Sequence, residues 1–297
     1  MARDKNDGVL PPIDLSNIKN VEAVNKVEKD FEERVVKPSR QKRSGKFVFS
    51  EAETIPLPSG GRLYSNVTDD PDILNGYIKM LPMGMKEEEI LSTPRFLKSG
   101  AATRAILDRC IESDISAKDI LMFDSNFLMY HLRMISYGDE YNFNITCSNT
   151  MCERKFEHTV KISDLVFEEL PDGVEEPIVI QLPKSGFTVK TILPRLYHSE
   201  ELVLKDANRK KKSSDTETRL VDNLMVTTTE ILNFNDEEVP KKDWEEFFEA
   251  LPGMDTATLR EATTFSTGVD QLEGVTCPYC ESDYSGSIPM GPEFFRF

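Results

Sequence analysis

Apolar positions recur at two spacings along this chain, and the switches between them mark its elements. In SNFLMYHLRMISYGDEY, residues Phe127 to Ile135 are apolar at all but two positions, His131 and Arg133. That run predicts a helix apolar on most sides and buried at the centre of its domain, with Ser125 as N-cap and Gly138 as its stop. KEEEIL predicts a second helix with acidic residues in its first turn, and Pro94 interrupts the helical pattern beyond it. TRAILDRCI resumes the helical spacing and places Cys110 in an apolar stripe, as a small core residue. Further on, the segment from His198 to Phe234 reads as one or two helices with a charged interval at 209–214. In KDWEEFFEALPG, Trp244, Phe247, Phe248 and Leu251 share a helix face, and in DTATLREATTF Asp255 is the expected N-cap.

Alternation marks the strands. GYIKMLPM and Phe47 to Phe49 read as strands, and IPLPSGGRLY as an extended segment ending in a tight glycine turn. SGGR lacks the lysine pattern of a phosphate loop. EPIVIQLPKSGFTVKTILP is a hairpin turning near Lys184 to Gly186. Tyr141, Phe143 and Ile145 alternate in one strand, Phe156, His158 and Val160 in another, and Cys147 and Cys152 lie at the tip between them. Near the C-terminus VTCPYCESDY repeats that form with Cys277 and Cys280 before a strand at SDYSGSIP. The spacings C-x4-C and C-x2-C suit a four-cysteine zinc ribbon, with each pair at a hairpin tip. Four thiolates fill a tetrahedral shell, so the expected zinc site, Cys147, Cys152, Cys277 and Cys280, is structural. CPYC also has the form of a glutaredoxin motif, but no helix comes after it, as that chemistry requires.

Composition narrows the function. Thirty-six Lys plus Arg stand against 52 Asp plus Glu, a net charge of −16, which repels phosphate backbones. Glu153, Glu157, Glu273, Glu281 and Asp283 crowd the cysteine pairs and outnumber Arg154 and Lys155, so the ribbon is not expected to contact nucleic acid. No apolar run is long enough for a membrane span. The N-terminus lacks the apolar core of a signal peptide, and a reducing cytoplasm is expected, where cysteines serve as metal ligands or buried thiols. His131, His158 and His198 stand in no metalloprotease pattern, and no nucleophile elbow is present. An enzyme is therefore not expected.

These elements group into two regions. Residues 1–46 form an arm and linker, with a short helix at NVEAVNKVEKDFEERVV and a basic tether at KPSRQKRSGK. Residues 47–297 form an α+β domain: a helical body with β-hairpins making the four-cysteine, zinc-ribbon-like module from 141–162 and 272–290. Phe294, Phe295 and Phe297 end the chain in PMGPEFFRF. Such a tail docks on the chain's own core or inserts into a neighbour, and the three are assigned to partner binding.

In order along the chain, IPLPSGGRLY, LSTPRFLKSGAATRAILDRCI, FDSNFLMYHLRMISYGDEYNFNITC, CPYC and the terminal EFFRF resemble the T4-type phage baseplate protein family, from about Ile55 to the C-terminus. The resemblance implies a non-enzymatic structural or assembly subunit of a contractile-tailed phage baseplate hub. It would bind other hub and wedge proteins, in the virion tail after assembly in the host cytoplasm. Two alternatives stand beside it: an assembly chaperone absent from the mature virion, and a zinc-ribbon nucleic-acid-binding protein.

Overall fold

The computed structural model describes residues 50–92, 101–211, 219–263, 275–284, 286, 288–290 and 292–295. The expected arm and linker, the strand at Phe47 to Phe49, the break at Pro94 and the terminal Phe297 lie outside these. The described chain mixes helices with small antiparallel sheets, as expected of an α+β fold.

One core gathers most of the N-terminal half and the C-terminal end. Strands β1 (Glu53–Pro56) and β2 (Tyr77–Met80) pair antiparallel, with Ile55 opposite Ile78 and both side chains buried. Between them the SGGR turn runs through Gly60, Gly61 and Leu63, all at positive φ, and then the short helix α1 (Pro71–Leu74). A side chain at Gly61 would place its Cβ 2.0 Å from the Ile73 carbonyl oxygen, so only glycine fits this crossing. The turn is a packing device, in keeping with the rejection of a phosphate loop. Helices α2 (Met85–Ser92) and α3 (Ala102–Cys110) come next. Cys110 is fully buried on α3.

Helix α4 (Met122–Tyr137) is the centrepiece. It starts one turn before the expected cap: Leu121 is the N-cap residue, and Ser125, buried inside the helix, donates its hydroxyl to the Met122 carbonyl at 3.0 Å. The reason lies in tertiary partners. The Leu121 amide donates to the Tyr64 hydroxyl at 3.0 Å and the Met122 amide to the Pro194 carbonyl at 2.8 Å, so side chain and loop satisfy the first amides of the helix start without a capping serine. Asp124, in the first turn, accepts from the Ser59 amide at 2.9 Å, the Ser59 hydroxyl at 2.6 Å and the Tyr64 hydroxyl at 2.7 Å. Gly138 closes the helix at φ 95°.

The second core is built within the interval 178–263. Strands β5 (Ile178–Gln181), β6 (Thr188–Thr191) and β7 (Thr228–Leu232) form an antiparallel sheet in that order. Helices α5 (Leu196–Lys211) and α6 (Arg219–Thr227) separate β6 from β7; α7 (Trp244–Glu249) and α8 (Gly253–Thr263) come after it. Ile180, Val189 and Ile231 from the sheet meet Leu224, Trp244, Phe248 and Leu259 from the helices. Trp244 and Phe248 thus form a core face, as their spacing suggests.

Two readings change here. The helix expected to run to Phe234 ends at Thr227, because Thr227 to Thr229 and Ile231 form a β-branched run that favours a strand beside β6. Asp255 is not an N-cap. Its helix starts two residues earlier, and its buried carboxylate accepts instead from the Lys184 amide at 2.8 Å and the Ser185 amide at 2.9 Å, fixing the β5–β6 turn.

Candidate metal centre

Strands β3 (Glu140–Thr146) and β4 (Lys155–Lys161) pair in full register, Tyr141 opposite Val160 and Ile145 opposite Phe156. The alternation read from the sequence is met: Tyr141, Phe143, Ile145 and Phe156 face the core. Arg133 fixes the approach to this hairpin. Its guanidinium donates to the carbonyls of Gly138 at 2.7 Å and Glu140 at 3.0 Å and lies against the rings of Tyr137 and Tyr141. The end of α4 is thereby tied to the start of β3.

The second hairpin is shorter: β8 (Val275–Thr276) pairs with β9 (Asp283–Tyr284). Both tips are built alike. Cys147 donates its amide to the Arg154 carbonyl and Cys277 its amide to the Ser282 carbonyl, each at 2.9 Å. Within each tip the residue after the second cysteine, Glu153 at φ 46° and Glu281 at φ 57°, occupies the left-handed region. That geometry costs a non-glycine residue about 1 kcal/mol. It persists because it turns the chain so that both sulfurs of a pair face inward. The amides of Asn149, Arg154 and Ser282 each reach the sulfur of the cysteine two residues before.

The four sulfurs from the two tips lie within 4.8 Å of one another. Cys147 and Cys280 are 3.6 Å apart and Cys152 and Cys277 are 3.9 Å apart. A tetrahedron with metal–sulfur bonds of ~2.3 Å has sulfur–sulfur edges of ~3.8 Å, so these two cross-tip distances bracket the required edge. Cys147 and Cys277 are buried, Cys152 and Cys280 half-buried. Asn149 bridges the tips, its side-chain amide donating to the Ser282 hydroxyl at 3.0 Å and lying 3.8 Å from the Cys280 sulfur. Ser282, through its hydroxyl and its amide, holds the Cys280 thiol down to about 6, while the neighbouring Cys147 and Cys152 thiols are pushed up, so a metal ion would have to displace protons from the cluster. The spacing alone marks the cysteines; Asn149 and Ser282 carry no pattern of their own and emerge only from the fold.

Histidine does not enter the cluster. His131 packs on the Phe127 ring and His158 on that of Phe143. His198 is buried and accepts the Arg195 amide at 2.9 Å; burial and then the nearby Arg195 charge lower it to about 4, so it is neutral. The residues present fit a closed four-thiolate metal site.

The terminal phenylalanines anchor the same segment from its far end. Phe294 is fully buried and Phe295 nearly so, with Phe294 set edge-on to Tyr130 at 5.2 Å and to Tyr141 at 4.9 Å. The structure thus places both within the chain's own core. The C-terminal strap is held by sulfurs at one end and aromatic rings at the other. Phe294→Ala is expected to destabilise the fold by about 3 kcal/mol, read as a lowered urea midpoint. An unchanged midpoint would show that the ring adds nothing to the core.

A profile of the family described as T4 bacteriophage base plate protein matches residues 53–296. No curated protein and no solved structure matches the chain.

Proposed function

The chain belongs to the T4 bacteriophage base plate protein family, and on that premise we propose that it is a structural or assembly subunit of the base plate hub of a contractile-tailed phage, resident in the tail. The single observation that carries this reading is the extent of the match, which takes in both cores and both cysteine pairs. In this role the chain binds other hub and wedge proteins.

The metal is zinc. A set of four thiolates at tetrahedral spacing, two buried and two half-buried, suits a soft ion with no redox demand. Cys147, Cys152, Cys277 and Cys280 hold it, and its contribution is to fasten two hairpins distant in sequence. With all four positions taken by protein there is no place for a water or substrate, which supports a structural role for the metal. Carboxylates around the tips support protein over nucleic acid as partner.

Mass spectrometry of purified virions tests residency. The chain is expected among the tail proteins. Its absence from finished particles, with presence in infected cells, would replace the resident subunit by an assembly chaperone.

A further inference from the structure

Two side chains beside the metal centre contribute little to the fold. Met151 leaves 93% and Tyr279 54% of its surface in solvent, and each immediately precedes the second cysteine of its pair. Other exposed apolar residues, such as Met85, Val166 and Phe234, stand on separate elements, as single apolar residues do on any protein surface. Met151 and Tyr279 differ because one sulfur cluster brings their two tips together.

The backbone at Met151 and the ring of Tyr279 are held before any partner arrives. The Met151 amide donates to the Asn149 side chain at 2.9 Å, and Asn149 in turn crosses to Ser282 of the other tip. The Arg154 guanidinium lies 5.0 Å from the Tyr279 ring and covers one of its faces. A restrained aromatic anchor on one tip and an adaptable thioether on the other suit docking, the tyrosine losing little freedom on binding and the methionine fitting its shape to the partner. The rim is acidic: Glu153, Glu157, Glu281 and Asp283 against Arg154 and Lys155. Four thiolates around a divalent ion leave the centre two charges negative as well.

We propose that the paired tips carrying Met151 and Tyr279 are the surface by which this chain docks on another base plate subunit, and that the occupant is a basic protein face with an apolar recess. The inference rests on the base plate role proposed above and names the partner's chemistry. Charge selects this occupant. A second copy of the chain would bring 52 acidic groups against 36 basic ones, and nucleic acid would bring like charge to the same rim.

The test uses cells infected with phage lacking a working copy of this gene and supplied with the chain in trans. In one arm Tyr279 is replaced by the photoreactive p-benzoylphenylalanine, base plates are purified and irradiated, and the cross-linked peptide is sequenced. A peptide of net positive charge from another subunit is the expected result. A cross-link to a second copy, to an acidic peptide, or none at all with the chain present in the particle overturns the proposal. In the other arm Met151→Asp with Tyr279→Asp is expected to lower incorporation about tenfold while metal content and melting midpoint hold. Met151→Leu with Tyr279→Phe is expected to retain incorporation. Undiminished incorporation of the doubly acidic chain overturns the docking surface alone. If instead the unaltered chain is missing from base plates, the residency reading fails and this inference falls with it.

Discussion

Cys277→Ser is expected to empty the centre of metal and to lower the melting midpoint by about 10 °C or more. Structural zinc sites contribute on the order of 10 kcal/mol of apparent binding energy, and even half of that is large beside a stability of roughly 5–15 kcal/mol. In a chain of this size 1 kcal/mol moves the midpoint by about 2–4 °C. The loss is steep because three sulfurs cannot close the shell, and because the buried Cys277 sulfur lies 3.9 Å from Cys152 on the opposite tip. Chelation of the unaltered protein should reproduce the effect. Acid should as well, since thiolates bind the ion only when deprotonated, so protonation competes increasingly as pH falls. The serine variant, already without metal, should lack this acid sensitivity. Elemental analysis beside differential scanning calorimetry decides the matter, and an unaltered metal content in the variant would refute the site.

Asp124→Ala is expected to destabilise the fold by about 4 kcal/mol, on the scale of breaking a buried charged network. The carboxylate is fully buried and receives three hydrogen bonds from Ser59 and Tyr64, while Tyr64 receives the first amide of the α4 approach. Removing it strands the Ser59 amide and loosens the two hydroxyls that hold the SGGR turn on the start of α4. Asp124→Asn should fall between, because one amide oxygen can still accept. Both variants should also differ from the unaltered chain in pH response. Burial, the leading cause, pushes the Asp124 carboxyl above its ordinary range. The native state therefore holds a proton that the unfolded chain releases, and stability falls as pH rises from about 4 toward the raised native value. Asparagine has no such slope, so its deficit relative to the unaltered chain should shrink as pH rises through that window. Urea titrations at a series of pH values measure this, and a deficit for Asp124→Ala below about 1 kcal/mol would show the network to be dispensable.

The cysteine pairs were legible because metal ligation needs specific residue types at short spacing, and because alternation on either side of Cys147 and Cys152 marks a hairpin tip. That the two tips meet was a matter of chemistry, four thiolates seeking one ion, and it needed no knowledge of the intervening fold. The Asp124 network was illegible for the opposite reason. Ser59 and Tyr64 are ordinary turn residues, and nothing local announces that a carboxylate sixty-odd residues away will receive their protons. The same blindness explains Ser125 and Asp255. Local capping rules point to both, yet the Tyr64 hydroxyl and the Pro194 carbonyl meet the amides at the start of α4, and Asp255 serves a hairpin turn seventy residues upstream. The strand β7 escaped because a helix runs directly into it at Thr227, and β-branching is a weak cue until a neighbouring strand gives it a place.

Cys152 and Cys277 are separated by 125 positions, and that interval imposes an order on synthesis. At about 5–20 residues per second, a ribosome takes roughly 6–25 s to deliver the later cysteine after the earlier one. In that time the interval 178–263, whose residues form the second core, is made. A metal shell closed by both pairs would therefore require the whole interval between them to have been synthesised first, so that four assembled sulfurs would report that the second core is already in place.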